Sequence, residues 1–204
     1  MIKILVIGGN GQLAQCLKNV VKNNDELHVD FQDLPYLDIT DKQQLESYFL
    51  KNEFDYCINC AAYTAVDLAE EQSDLAYAVN AEGPKNLAEV CKKYQVKLLH
   101  ISTDFVFEGK KRTPYLETDA PNPLGVYGAS KWQGEHYIQE VMEDYFIIRT
   151  SWLYSEYGNN FMKTMMRLSE TLDEVSVVSD QIGAPTYAGD LAEVLIKIIL
   201  SSST

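Results

Sequence analysis

The chain has 204 residues, 46% of them hydrophobic and 23% charged, which is enough for one sizeable core in a protein of ordinary globular composition. A net charge of −13 excludes non-specific attachment to nucleic acid or to an anionic membrane surface, since both require a basic face. It does not exclude an anionic small ligand, because the backbone amides at a helix start act locally.

The opening "MIKILVIGGNGQ" holds an apolar run too short for a signal peptide or a membrane span. The four cysteines, Cys16, Cys57, Cys60 and Cys91, are therefore expected as thiols of a cytoplasmic protein. Residues 3–8, "KILVIG", form a continuous apolar run closed by glycine, the pattern of a buried parallel strand. "QLAQCLKNVVKNN" has helical spacing at Leu13, Leu17, Val20 and Val21, and 26–31, "ELHVDF", predicts the second strand. Thr40 with Gln43 reads as a capping box that starts a helix running to about residue 51.

"FDYCINCA" predicts a third strand. Its Cys57-x-x-Cys60 would point to opposite faces, with no second pair or clustered histidine to complete a metal shell, so no metal site is expected. A helix from about 74 to 94 follows, then a buried strand at 96–102, "VKLLHIS". A proline-containing loop leads to a long helix from about 127 to 141 and a strand over 145–154. Glu70 and Glu71 read as a solvated helix start. Further on, a helix around "YGNNFMKTMMRLSE", a short strand in "EVSVVSD" and a terminal amphipathic helix are expected, with the last four residues fraying. Strands and helices alternating in this way predict an α/β fold, a Rossmann-like doubly wound parallel sheet. The dinucleotide-binding part would span 1–150, and 151–204 would be a partial, smaller substrate-binding region interleaved with it.

Three segments carry chemistry. "GGNGQLA" follows the first strand and opens the first helix, so that Gly8, Gly11 and Ala14 form a tight turn able to meet a pyrophosphate at a helix N-terminus. Asp30, 22 residues after Gly8, is placed at the end of the second strand to bind an adenosine ribose, which tilts the cofactor towards NADH while leaving NADPH open. "ISTDFVF" sets Ser102, Thr103 and Asp104 just past the carboxyl end of a buried strand, where open α/β sheets bind ligands. In "YGASK", Tyr127 and Lys131 share a helix face one turn apart. An ammonium about 5 Å from a phenol contributes about 3 kcal/mol at an effective dielectric of 20, enough to draw the tyrosine towards neutrality as a proton donor.

Together these segments resemble the extended short-chain dehydrogenase/reductase superfamily. "NCAAYTAVDLAEEQ", "VNAEGPKNLAEVC", "STDFVFEG…PYLETDAPNPLGVYGASKWQGE", "RTSWLY" and "DQIGAPTYAGDLA" narrow the resemblance to the dTDP-4-dehydrorhamnose reductase family, from residue 2 to about 195. The resemblance implies NAD(P)H-dependent reduction of the C4 keto group of dTDP-4-dehydro-L-rhamnose. It implies Thr103, Tyr127 and Lys131 as the catalytic trio. Gly11, Gln12 and Leu13 would line the pyrophosphate turn, with Asp38 and Ile39 near the adenine end. Ala61, Ala62, Tyr63, Thr64 and Asn80 would lie along the cofactor, and Asp104 and Trp152 would contact the sugar. Cys16 stands where some family members carry an acid for a bridging magnesium, so no such site is expected. Family chains continue well past this point, so the resemblance implies a C-terminally truncated chain. A homodimer is the assembly it allows. Two alternatives stay open: a non-catalytic regulatory subunit of the same fold, and a nucleotide-sugar epimerase or dehydratase.

Overall fold

The computed structural model describes residues 1–201; the expected fraying of Ser202, Ser203 and Thr204 lies outside the described residues. Five parallel strands form the central sheet: β1 (Ile2–Ile7), β2 (Leu27–Gln32), β3 (Tyr56–Asn59), β4 (Lys97–Thr103) and β5 (Tyr145–Thr150), in the order β2-β1-β3-β4-β5. The chain leaves β1 towards one edge and returns on its other side as β3. A crevice therefore opens between the carboxyl ends of β1 and β3, the switch point where such sheets bind ligands.

Alternation along β1 divides the core. Ile4 and Val6 face a cluster with α1 (Gln12–Val21) and the terminal helix α8 (Ala188–Ser201). Leu5 and Ile7 face a second cluster that includes Leu45 and Phe49 of α2 (Lys42–Lys51), Leu87 and Val90 of α5 (Gly83–Tyr94), and Ile138 of α6 (Val126–Val141). Both faces of the sheet are covered, which is why its strands read as continuous apolar runs. Between β3 and α5 the chain makes two short helices, α3 (Val66–Ala69) and α4 (Ser73–Tyr77), and a π-helical turn at 78–82.

Four local expectations are corrected. α2 begins one residue later than the Thr40–Gln43 box implies. The Thr40 hydroxyl donates to Asp38 at 2.8 Å, and Asp41 instead caps the helix by accepting the Gln44 N–H at 3.0 Å. β2 ends at Gln32, so Asp30 lies inside the strand. The strand expected over 145–154 breaks in two: Trp152 takes φ 47°, a left-handed conformation rare for a bulky residue. That turn diverts the chain into β6 (Leu153–Tyr154), which pairs with β7 (Thr186–Tyr187) in a separate two-stranded sheet. No strand forms in 174–180, where the backbone finds no sheet edge to join. The helix expected around residues 157–170 is α7 (Phe161–Ser169), capped by Asn160 accepting the Lys163 N–H at 3.0 Å.

No helix is long and apolar enough to cross a membrane among the described residues. Cys57 packs into the second cluster and Cys60 against the first, on opposite faces of the sheet. Burial pushes both thiols up, Cys60 to about 12. They are packing residues.

Candidate active site

The glycine turn needs its glycines. Gly8 sits at φ +80°, and a Cβ there would stand 2.6 Å from the Ala61 nitrogen. Only glycine permits both the turn and the close passage of the segment after β3. Gly11 is the N-cap of α1, whose first-turn N–H groups have no partner within the helix, and it lines the crevice. A groove of about 220 Å³ runs from this turn past Asp33, Asp38, Ile39, Ala61 and Ala62. It meets a larger cavity of about 740 Å³ at Gly11, Cys60 and Ala62. That cavity is lined by Gln12, Leu13, Thr64, Thr103, Asp104, Tyr127, Lys131 and Trp152 among others.

Asp30 is not part of the groove. It accepts hydrogen bonds from Gln32 Nε2 at 2.7 Å and from the Tyr48 hydroxyl, on the α2 side of the sheet. The acid at the strand end is Asp33, whose carboxylate accepts the N–H groups of Asn10 at 2.8 Å and Leu34 at 2.8 Å. Spacing from Gly8 does not fix where β2 stops, and the strand runs two residues past Asp30. With Asp30 turned away, its repulsion of a ribose phosphate falls away as an argument for NADH.

The other expected cofactor residues take different parts. Asp38 accepts the Thr40 N–H and hydroxyl, each at 2.8 Å, fixing the loop beside Ile39. Asn80 clamps Tyr63, accepting its N–H at 2.9 Å and donating to its carbonyl at 3.0 Å. The Tyr63 hydroxyl points away and donates to Gln72 at 3.0 Å, so its backbone and not its ring is what the clamp positions. Gln12 reaches across to β6, donating to Leu153 O at 3.1 Å.

At the carboxyl end of β4, α6 comes in unusually close. A Cβ on Gly128 would lie 2.2 Å from Phe105 O, which explains the glycine inside "YGASK". The contact lays Tyr127 edge-on against Phe105, with ring centroids 5.6 Å apart. Thr103 accepts the Phe105 N–H at 3.2 Å and donates to Asp104 Oδ1 at 3.2 Å, and it lines the larger cavity together with Tyr127. Thr103 and Tyr127 thus converge on one point at the end of β4.

The expected effect of Lys131 on Tyr127 is corrected. Burial holds the Tyr127 phenol above its ordinary value; the Thr103 hydroxyl pulls it down, while the Asp104 charge raises it. Lys131 does not draw it towards neutrality. Its Nζ is turned beneath the site, donating to Ile101 O at 2.7 Å, and burial lowers the ammonium to about 8. Burial likewise raises the Asp104 carboxyl.

Under the crevice lies a buried polar layer that motif reading did not find. Glu135 accepts Arg149 Nε at 3.0 Å, Arg149 Nη2 at 2.6 Å and the Ser102 hydroxyl at 2.5 Å. Ser130 accepts from Asn80 at 3.2 Å. Glu70 is exposed, as expected, but it closes α3 instead of starting a helix, and its carboxylate accepts the Val126 N–H at 2.8 Å, capping α6 across 56 residues of sequence. Glu71 is exposed. Thr150 Oγ1 is the buried side-chain polar atom left without a partner among the described residues, and Thr150 lines the larger cavity. A glycine cradle that a Cβ would fill, an orphan hydroxyl and a polar-floored cavity fit a dinucleotide with a polar second ligand beside it.

The fold and crevice are those of the extended short-chain dehydrogenase/reductase class. A family model described as RmlD substrate binding domain matches residues 2–204, and the chain belongs to that family. It is 45% identical over 198 residues to a dTDP-4-dehydrorhamnose reductase of Aggregatibacter actinomycetemcomitans, covering 97% of this chain and 67% of the relative. It superposes with TM-score 0.95 and 44% identity on a dTDP-4-dehydrorhamnose reductase of Clostridium acetobutylicum, covering 99% of this chain and 71% of that one. The enzyme of the same name from Bacillus anthracis, solved in complex with NADP, gives TM-score 0.96 at 44% identity over 99% of this chain and 72% of that one. The chain thus spans about two thirds of the length of these relatives.

Proposed function

We propose that this chain carries the cofactor side and part of the sugar side of an NADPH-dependent reductase that converts the C4 ketone of dTDP-4-dehydro-L-rhamnose to the alcohol of dTDP-L-rhamnose. The observation that supports this reading most is the single cavity shared by the glycine turn, Thr103, Tyr127 and Lys131. The named reductases at 44–45% identity, one of them an NADP complex, support the substrate and the cofactor.

In this reading a bound nicotinamide dinucleotide supplies the hydride. Gly8, Gly11, Gln12 and Leu13 hold its pyrophosphate region, Asp33 and Asp38 flank its adenosine end, and Ala61, Ala62, Thr64 and the Asn80-clamped Tyr63 backbone line the rest. Thr103 turns its hydroxyl from Asp104 to donate a hydrogen bond to the keto oxygen and fixes its position. Tyr127 gives that oxygen a proton as it gains charge. A phenol kept protonated by burial suits a donor at neutral pH better than one already ionised. Lys131 binds the nicotinamide ribose and supplies the replacement proton. Asp104 and Trp152 contact the sugar; Trp152 lies against Gly183 and Phe161 at the open end of the cavity.

We extend the reading to a division at about residue 150, a cytoplasmic location, work without nucleic acid or membrane, and a homodimer. The test is NADPH oxidation with the dTDP-keto sugar. Consumption of NADPH that requires the sugar supports the reading; sugar isomerisation without net NADPH loss would favour an epimerase, and binding of both ligands without reaction would favour a regulatory subunit.

A further inference from the structure

Asn59 on β3 and His100 on β4 are register partners, and both are fully buried on the α6 side of the sheet. The Asn59 amide is oriented by the main chain, because its Oδ1 accepts the Ala61 N–H at 3.1 Å. That turns Nδ2, which can only donate, towards His100 Nδ1 at 3.1 Å. Nδ1 is therefore the accepting nitrogen, and the neutral ring carries its proton on Nε2. Nε2 stands 3.4 Å from Lys131 Nζ. An N–H there can donate to an uncharged amine but offers nothing to an ammonium, which has donors alone.

We propose that His100 is a positioning residue acting through Lys131: its Asn59-locked Nε2–H tautomer favours the uncharged amine, so that Lys131 releases and regains a proton instead of standing as a fixed cation. The catalytic consequence rests on the role given to Lys131 above; the tautomer and its coupling to the lysine do not.

The surroundings set the balance. Glu135, on the same helix, and the Cys60 thiol, just beyond β3, favour the ammonium. Arg149 of β5 is committed to Glu135 through two of its nitrogens. Tyr127 lies one turn earlier on α6, and Asp104, at the end of β4, bears on Tyr127. Burial outweighs the two acidic groups and brings Lys131 to about 8. Burial first, and then the Lys131 charge, keep His100 neutral. Charging Lys131 calls for the opposite tautomer, whose Nδ1–H would confront the Asn59 amide donor. Relieving that conflict requires Asn59 to turn over and release the Ala61 N–H, in the wall of the dinucleotide groove. Lysine charge, imidazole tautomer and groove backbone therefore move as one unit.

The direct test is 15N NMR of the histidine-labelled wild-type chain, in which His100 is one of three histidines and is assigned by single variants of His28 and His136. The expected pattern is Nε2–H with a bare Nδ1. Both ring resonances should drift with a midpoint near that of Lys131, and the drift should vanish in Lys131→Met. An Nδ1–H ring, an imidazolium near neutral pH, or a ring indifferent to the lysine titration would overturn the proposal. As a second measurement, NADPH affinity against pH should show an alkaline break that moves up by about one unit, tenfold in proton affinity, in His100→Leu. An unmoved break contradicts the proposal. Coupling seen by NMR together with a wild-type profile lacking any break would overturn the ribose role of Lys131 and leave the tautomer coupling standing.

Discussion

The two walls of the crevice are built on different foundations. On the cofactor wall the expected contact groups rest on core or on satisfied polar pairs: Gly8 against Ala61, Asn80 clamping Tyr63, α6 pressed onto Phe105 above the Glu135–Arg149–Ser102 cluster. On the sugar wall no residue from 156 to 187 is buried, and α7 shows Phe161, Met162 and Met166 to solvent. The first wall is preorganised by the sheet. The second is attached to it at Trp152, Gln12 and the small β6–β7 sheet, and its apolar side chains add little to the core.

If that contrast is right, disturbing the first wall should cost far more than disturbing the second. The largest effect belongs to Tyr127→Phe. Turnover should fall by about 10²- to 10⁴-fold with NADPH affinity unchanged, since only the proton donor is lost; this is read from kcat beside the cofactor Kd. Glu135→Ala strips a buried acceptor from Arg149 and Ser102 and should lower unfolding free energy by about 3–5 kcal/mol in urea titration. Gly128→Ala forces a methyl into Phe105 O and should cost about 1–3 kcal/mol by the same measurement. Stability should also respond to acid. His100 is held below 6.5 in the native state, so below about pH 6.5 the unfolded chain binds a proton that the folded chain refuses. Its contribution is present above that pH and is lost on acidification at about 1.4 kcal/mol per unit, a slope that His100→Leu should remove. Lys131, lowered from 10.5 to about 8, works in the same direction on the alkaline side, with stability rising as pH climbs through that window. The smallest effect should come from the sugar wall, where Met166→Ala should change stability by less than about 0.5 kcal/mol.

The same contrast governs what could be read in advance. The sheet and its helices were legible because buried strands give unbroken apolar runs, and α1 and α5 repeat their apolar residues at the helical period. The glycine turn, Thr103, Tyr127 and Lys131 were legible because each sits at a fixed offset from a strand or helix end. Asp30 was misplaced because the end of β2 is fixed by its last ladder pair, Ile7 with Gln32, and sequence spacing is good only to a few residues. His100, Glu135 and Glu70 were illegible because their partners lie 14 to 56 residues away and carry no local signature. In 174–180 alternating valines suggested a strand, but a strand needs a neighbour, and none stands there.

The central claim is a hydride delivered to a sugar ketone held by Thr103 and protonated by Tyr127. The most direct test supplies NADPH deuterated at its transferable position together with dTDP-4-dehydro-L-rhamnose and follows the label by NMR. The account predicts one deuterium at C4 of dTDP-L-rhamnose for each NADPH consumed. Unlabelled product, or label at any other carbon, would contradict it.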